Sequence, residues 1–151
     1  MKHEDGWPES AGGTRLSWQR RSPDTTPGAK LLFVHGLAEH SGRYDHVMRR
    51  FAGAGFDCWA VDYRGHGKSP GLRVHVDRFD ECLLNIAAGR RLVRAEQTRL
   101  PLFLVGHSQG GLLVLRHVLT QPDGNEGIDG IIVSSPFLGM HPNAAPSAPL
   151  Y

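Results

Sequence analysis

The chain has 151 residues, of which 40% are hydrophobic, enough for one globular domain with its own core. Its 17 Lys and Arg residues nearly balance 15 Asp and Glu residues, so no strong field would attract nucleic acid. The two cysteines, Cys58 and Cys82, lie in apolar segments, which argues against a disulfide framework or a metal cluster. No secretory signal or membrane-spanning run is visible, so a cytoplasmic protein is expected.

The N-terminal part predicts a loose tail followed by two strands and a helix. Residues 1–13 are polar and glycine-rich, which is typical of a flexible tail. Alternating apolar and polar residues predict a half-buried strand over 14–21, and the apolar run at 30–34 predicts a buried strand. Apolar residues at helical spacing then predict a helix over 44–51.

The same alternation of strands and helices continues to residue 136. Strands are predicted over 56–62, 102–106 and 128–136, with helices beginning near Asp77 and after Gly110. The arginine pairs at 49–50 and 90–91 are expected on exposed helix faces. The pattern predicts an α/β fold with a mostly parallel sheet and helices on both faces. Ligands of such folds bind at the carboxyl ends of the strands.

The stretch GHSQGG at 106–111 joins a predicted strand to a predicted helix. A serine nucleophile needs exposure, a base to take its proton and donors for the oxyanion, and Gly-x-Ser-x-Gly between strand and helix supplies the exposure. Gly106 and Gly110 would leave room for the sharp turn, and the N–H of Gln109 would face the oxyanion. The alternative is that Ser108 belongs to an ordinary turn.

A phosphate loop is the other alternative, because GHGKS at 65–69 resembles the end of a Walker A motif. It fails because Asp62 occupies the place of the first glycine of that motif. Three histidines near these motifs are poor candidates for a base. His107 adjoins Ser108 and should point away from it, whereas His35 and His66 are expected to shape their loops.

Three motifs in this order resemble the α/β-hydrolase superfamily: FVHGLAEHSGRY at 33–44, VDYRGHGKSPG at 61–71 and GHSQGG at 106–111. They are most similar to its monoacylglycerol lipase and lysophospholipase branch, grouped with the serine aminopeptidases of family S33. The resemblance covers about residues 30–136. Ala38 departs from the usual motif, since it stands where the branch has glycine.

The resemblance implies a serine ester hydrolase that cleaves small acyl esters through an acyl-enzyme, with no metal or other cofactor. Ser108 would be the nucleophile, and the N–H groups of Leu37 and Gln109 would form the oxyanion hole. The remaining matched residues would be structural, namely His35, Gly36, Asp62, Arg64, Gly65, His66, Gly67, Gly106 and Gly110.

The branch places its catalytic Asp and His after the nucleophile, and here no residue matches either position. The candidates downstream of Ser108 are Asp123, Asp129, His117 and His141. We therefore expect an incomplete hydrolase domain over 14–140, followed at 141–151 by a proline-rich connector where a lid would begin. Such a chain could be a fragment, an isoform or the product of a truncated gene.

An incomplete domain would have impaired activity and, expressed alone, would be unstable or prone to aggregate. Membrane contact would come through the lid, and the sequence does not indicate an oligomeric state. Two other functions stay open. One is an S33-type aminopeptidase or another small-molecule hydrolase, and the other is a non-catalytic binding or regulatory product.

Overall fold

The computed structural model describes residues 1–7, 13–75, 77–96, 98–120 and 126–139. Its six strands form one sheet in the order β1-β2-β4-β3-β5-β6. In chain order they are β1 Lys2–Gly6, β2 Trp18–Ser22, β3 Ala29–Val34, β4 Phe56–Val61, β5 Leu102–His107 and β6 Gly130–Ser134. The helices are α1 Asp45–Gly53, α2 Asp80–Ala95 and α3 Gln109–Thr120, and a 3₁₀ turn, Ser41–Tyr44, precedes α1.

The sheet is mostly parallel, which confirms the prediction. Strands β4, β3, β5 and β6 run parallel, whereas β1 and β2 are antiparallel to their neighbours. In the middle of the sheet Leu32 is paired with Trp59 on one side and with Leu104 on the other. Because parallel strands end at the same edge, the loops after β3, β4, β5 and β6 share one rim.

Helices cover both faces of the sheet, as expected. Side chains alternate along a strand, so Leu32 and Val34 of β3 pack with α2 and α3. Leu31 and Phe33 face the opposite side, where they pack with Met48 of α1. The two apolar faces of β3 explain why residues 31–34 form a continuous hydrophobic run.

The N-terminus differs from the expected loose tail, because Lys2–Gly6 forms β1 and pairs with β2. The polar residues that suggested a tail suit an edge strand, since charge protects an edge from pairing with other chains. Strand β2 also begins later than predicted, at Trp18. It lies one strand in from the edge.

Two further differences concern helix α2 and its surroundings. The helix begins at Asp80 rather than near Asp77. Arg90 was expected on an exposed face, but it is buried, and its Nη1 donates to the Glu126 carbonyl at 3.1 Å. This backbone acceptor is not indicated by composition alone. The predicted connector at 141–151 lies outside the described residues.

Strand β6 is paired with β5 and, within the described part of the chain, has no partner on its other side. Ile131, Ile132 and Val133 are 37%, 48% and 38% exposed. Because consecutive strand residues face opposite sides, both faces of β6 are open to solvent. We expect the isolated chain to be unstable or prone to aggregate because this apolar surface is exposed.

Candidate active site

Ser108 lies between the end of β5 and the start of α3, in a turn that few residues can adopt. Its φ is 53°, in the left-handed region that is uncommon for residues other than glycine. Its N–H donates to the Ser134 carbonyl at 3.0 Å, and its carbonyl accepts the N–H of Gly111 at 3.0 Å and of Phe137 at 2.9 Å. The strained turn is thus fixed to α3 and to the end of β6, with Ser108 partly exposed.

Close backbone contacts on both sides of Ser108 leave no room for side chains. A Cβ on Gly106 would lie 2.5 Å from the Gly110 carbonyl oxygen, and one on Gly110 would lie 2.1 Å from the Val34 carbonyl oxygen. These contacts join strand, helix and neighbouring strand directly. Glycine is required at both positions for this turn to form.

The loop after β3 approaches the turn from the neighbouring strand. A Cβ on Gly36 would lie 3.3 Å from the Cβ of Ser108. Leu37 follows Gly36, and in the part of the chain that the structure describes its N–H has no hydrogen-bond acceptor. Gln109 is the first residue of α3, so its N–H belongs to the helix N-terminus beside Ser108.

His35 is buried, and both of its ring nitrogens are hydrogen-bonded. Nε2 accepts the backbone N–H of Tyr63 at 3.2 Å, so Nδ1 carries the proton and donates to the Gly36 carbonyl at 2.8 Å. Burial lowers the pKa of His35 to about 4. A neutral imidazole with both nitrogens occupied has no free position to accept a proton from a substrate or from Ser108.

The carboxylate of Asp62 joins two loops of the rim. One oxygen accepts the N–H of Ser41 at 2.6 Å, and the other accepts the N–H of Lys68 at 2.8 Å. A Cβ on Gly67 would lie 2.1 Å from the Asp62 carboxylate. Both carboxylate oxygens of Asp62 therefore accept backbone N–H groups, and these bonds stabilise the loop after β4.

The other residues of that loop also make contacts within the protein. Gly65 has a φ of 76°, and a Cβ there would lie 2.3 Å from the Leu72 carbonyl oxygen. His66 Nδ1 lies 3.1 Å from the Arg64 carbonyl, which can only accept, so the ring donates. Arg64 reaches Glu81 of α2 at 3.3 Å. These contacts order the loop.

Among the described residues, the histidines near or after Ser108 are not placed as a base would be. His107 donates from Nδ1 to the Ser134 carbonyl at 3.1 Å, towards β6. His117 is buried in α3. His141 lies outside the described residues. The Nδ1 atoms of His35, His66 and His107 are hydrogen-bonded to backbone carbonyls and not to the Ser108 hydroxyl.

The downstream aspartates are no closer to a catalytic arrangement. Asp129 accepts the N–H of Leu102 at 2.8 Å and lies 3.3 Å from Arg94. Leu102 begins β5, so Asp129 is at the opposite end of that strand from Ser108. Asp123 lies outside the described residues. Over the described ranges the structure brings together the turn and the loop after β3, without an acid and base for Ser108.

Sequence reasoning missed Glu39, which accepts the N–H of Gly36 at 3.0 Å and the hydroxyl of Tyr44 at 2.7 Å. The signal was a charged residue three positions after Gly36, where an exposed loop would be the default. Its hydrogen bonds depend on how the loop folds back, which spacing does not reveal.

Across the described ranges, no group of three His, Cys, Asp or Glu residues is arranged to hold a metal ion. The helices of the same ranges include none with the length and apolar character needed to cross a membrane.

Comparisons with known proteins agree with this geometry. Residues 25–150 match the family described as serine aminopeptidase, S33. A monoacylglycerol lipase from Mycolicibacterium smegmatis is 34% identical over 135 residues, which are 89% of this chain and 47% of the relative. The chain therefore spans about half the length of this curated relative.

Solved structures give the same result. A monoacylglycerol lipase from Paleococcus ferrophilus superposes with a TM-score of 0.70 at 38% identity, covering 87% of this chain and 47% of that one. A thermostable carboxyl esterase from Bacillus coagulans gives 0.77 at 27% identity, covering 88% and 44%. Sequence match, sheet topology and the glycine-flanked serine turn agree, and the chain belongs to the serine aminopeptidase S33 family of α/β-hydrolases.

Proposed function

We propose that this chain carries the nucleophile and the oxyanion-binding amides of a serine ester hydrolase. The expected substrates are small acyl esters such as monoacylglycerol or lysophospholipid. The observation that carries the proposal is the strained turn at Ser108, with the Gly36–Leu37 loop in contact with it. Relatives and structural neighbours named as monoacylglycerol lipase and carboxyl esterase support the substrate class.

In the proposed reaction, Ser108 Oγ attacks the carbonyl carbon of the ester and gives its proton to a base. The carbonyl oxygen becomes an oxyanion, which accepts hydrogen bonds from the N–H groups of Leu37 and Gln109. Collapse of the tetrahedral intermediate breaks the ester C–O bond, and the alcohol leaves with a proton. Water then hydrolyses the acyl-enzyme and restores Ser108. We assign none of the described residues as the base.

The two proposed donor amides belong to different elements, a loop and a helix N-terminus, so each is held in place by its own surroundings. The Leu37 N–H belongs to a loop held against β3, and the Gln109 N–H belongs to the start of a helix. The positive end of the helix dipole favours negative charge at this point. Loss of one such donor typically lowers kcat by about 10²- to 10³-fold.

A fluorophosphonate probe tests the nucleophile in the protein expressed from its complete reading frame. The probe should label Ser108, and Ser108→Ala should abolish labelling. Ser134→Ala is the matched control. Ser134 contributes only its backbone carbonyl to the Ser108 N–H, so this variant should still be labelled at Ser108 as in wild type. Label on another residue, or none on folded protein, contradicts the proposal and favours a binding or regulatory role.

The family description itself favours a second candidate, hydrolysis of aminoacyl or peptide bonds. The same nucleophile and oxyanion amides serve both reactions, so they do not distinguish esters from amides. A panel of p-nitrophenyl esters and monoacylglycerols, compared with aminoacyl p-nitroanilides, separates the two. The ester proposal requires kcat/KM to be highest on the acyl esters.

A further inference from the structure

The two backbone groups of Gly36 are held from opposite directions by side chains. Its N–H donates to Glu39 Oε2 at 3.0 Å, and its carbonyl accepts the Nδ1–H of His35 at 2.8 Å. The carbonyl also accepts the N–H of Glu39 at 3.3 Å, which closes a four-residue turn. Ala38 occupies the third position of this turn with a φ of 56°. The Gly36 backbone is thus fixed in one orientation.

This orientation determines where the next amide points. A trans peptide unit is planar, so the carbonyl of Gly36 and the N–H of Leu37 point in opposite directions. The carbonyl is held towards the buried imidazole of His35, and the Leu37 N–H therefore faces away from the core. The proposed oxyanion donor is aimed by the hydrogen bonds of the residue before it.

Glu39 is itself held in place by the elements that follow the loop. Its Oε2 accepts the hydroxyl of Tyr44 at 2.7 Å, and its other oxygen lies 3.3 Å from Arg43. The Tyr44 ring packs 6.1 Å from the ring of Phe33 on the α1 face of the sheet. The carboxylate therefore connects the Gly36 backbone to the packed core.

The charge state of this group favours that role. Burial raises the pKa of Glu39, but hydrogen bonds from Tyr44 and Gly36 and the charge of Arg43 bring it below its ordinary value. The carboxylate is therefore ionised at neutral pH and can accept both donors. Burial and the hydrogen bond to Glu39 raise the pKa of Tyr44, which keeps its hydroxyl a donor.

Glu39 also lies beside the nucleophile turn. A single Cβ placed on Gly36 would lie 3.1 Å from Glu39 Oε2 and 3.3 Å from the Cβ of Ser108. Carboxylate, glycine and serine are thus contiguous. We propose that Glu39 is a positioning residue for the Leu37 N–H. Glu39 binds the Gly36 N–H while His35 binds the Gly36 carbonyl, and together these bonds orient the peptide so that the Leu37 N–H faces Ser108. This inference rests on the proposed function, because the orientation matters only if an oxyanion forms there.

Steady-state kinetics on a p-nitrophenyl ester test the proposal in the protein from its complete reading frame. Glu39→Ala should lower kcat by about 10- to 100-fold with KM changed less than about twofold, since a displaced oxyanion donor acts in the transition state. Glu39→Gln keeps an acceptor oxygen for Gly36 and should retain most of kcat. Asp45→Ala is the matched control. It removes a carboxylate of α1 that pairs with Arg21 of β2 and Arg49 of α1 rather than with Gly36.

A second measurement does not depend on turnover. Amide hydrogen exchange at Gly36, followed by NMR, should accelerate at least about tenfold in Glu39→Ala and stay near wild type in Glu39→Gln. Unchanged exchange in Glu39→Ala overturns the proposal, and so does an equal loss of kcat in Asp45→Ala. Failure of the proposed function gives a different result from failure of this inference. In that case wild-type protein neither labels at Ser108 nor hydrolyses esters, and the exchange rate at Gly36 still shows whether Glu39 holds the Gly36 N–H.

Discussion

The two ends of the parallel strands are held by different kinds of interaction. At the carboxyl ends, backbone conformation dominates, with Ser108 and Ala38 at positive φ and the neutral His35 between two backbone groups. At the amino ends, charged side chains dominate. Arg20 binds Asp57 at 2.7 Å and Glu96 at 2.5 Å, and its guanidinium lies 4.4 Å from the centre of the Trp59 ring.

The difference shows where each end obtains its rigidity. At the carboxyl ends, close backbone contacts fix the loops together with the carboxylates of Asp62 and Glu39, which accept backbone N–H groups rather than pairing with a buried cation. The ion cluster at the amino ends joins β2, β4 and the end of α2, so it contributes to stability away from the chemistry. Substitutions at the two ends should therefore differ in kind as well as in size.

The largest effect is expected from Gly110→Ala. The new Cβ would lie 2.1 Å from the Val34 carbonyl oxygen and 2.6 Å from that of His35, both fixed in β3 and its end. We expect a loss of more than about 3 kcal/mol in the free energy of unfolding, measured by urea denaturation. Gly53→Ala is the control, since its Cβ would meet nothing within 4 Å and helix propensity should increase stability by up to about 1 kcal/mol.

The next effect tests the amino ends. Asp57 is fully buried and accepts two hydrogen bonds from Arg20 and one, at 2.9 Å, from Trp59 Nε1. Asp57→Ala leaves these donors without their partner and should cost about 3 kcal/mol. Glu4→Ala removes an exposed partner of the same Arg20, at 3.3 Å, and should cost less than about 0.5 kcal/mol. Equal losses in thermal denaturation would contradict the importance of burial here.

A third prediction concerns pH and His35. The folded pKa of about 4 lies below the unfolded value, so the unfolded chain binds more protons between these values. Stability from the neutral ring is complete above about pH 6.5 and should be lost progressively as pH falls towards 4, by about 2 to 3 kcal/mol.

Urea denaturation between pH 7 and pH 4 measures this loss. His35→Asn should flatten the pH dependence in that range, because asparagine does not titrate. His46→Asn, at an exposed position of α1, is the matched control. A pH dependence that is the same in His35→Asn as in wild type would assign the effect to other groups.

The smallest effect is expected at Ala38. Glycine tolerates a φ of 56° better than alanine, which offsets the greater entropy that glycine gives the unfolded chain. Ala38→Gly should therefore be neutral or stabilising by up to about 1 kcal/mol. Ala87→Gly in α2 has no such compensation and should destabilise by about 1 kcal/mol. Similar losses in both variants would show that the strain at Ala38 is negligible.

Much of the fold was predictable because the central parallel strands are largely buried and therefore rich in apolar residues. The runs at 30–34 and 102–106 are short and mostly apolar, and they correspond to β3 and β5 with small shifts of their ends. Strand β1 was missed because polar edge strands resemble loops in sequence. Arg90 was misplaced because its acceptor, the Glu126 carbonyl, lies 36 residues away in the chain.

The candidate site was predictable only in part. The Gly-x-Ser-x-Gly spacing located the turn at Ser108, because such a turn needs small residues where strand and helix approach. The role of Glu39 was not predictable, since it depends on a loop that folds back to bring a carboxylate to the Gly36 N–H.

The sequence by itself determined much of the strand and helix pattern, the family and the position of the strained serine turn. These depend on hydrophobic periodicity and on local backbone requirements, which neighbouring residues specify. Only the tertiary structure decided that the His35 imidazole is neutral and that the carboxylates of Glu39 and Asp62 accept backbone N–H groups. It also decided the direction of the Leu37 amide. Those properties depend on burial and on partners far away in the chain, because hydrogen bonds and desolvation act through space.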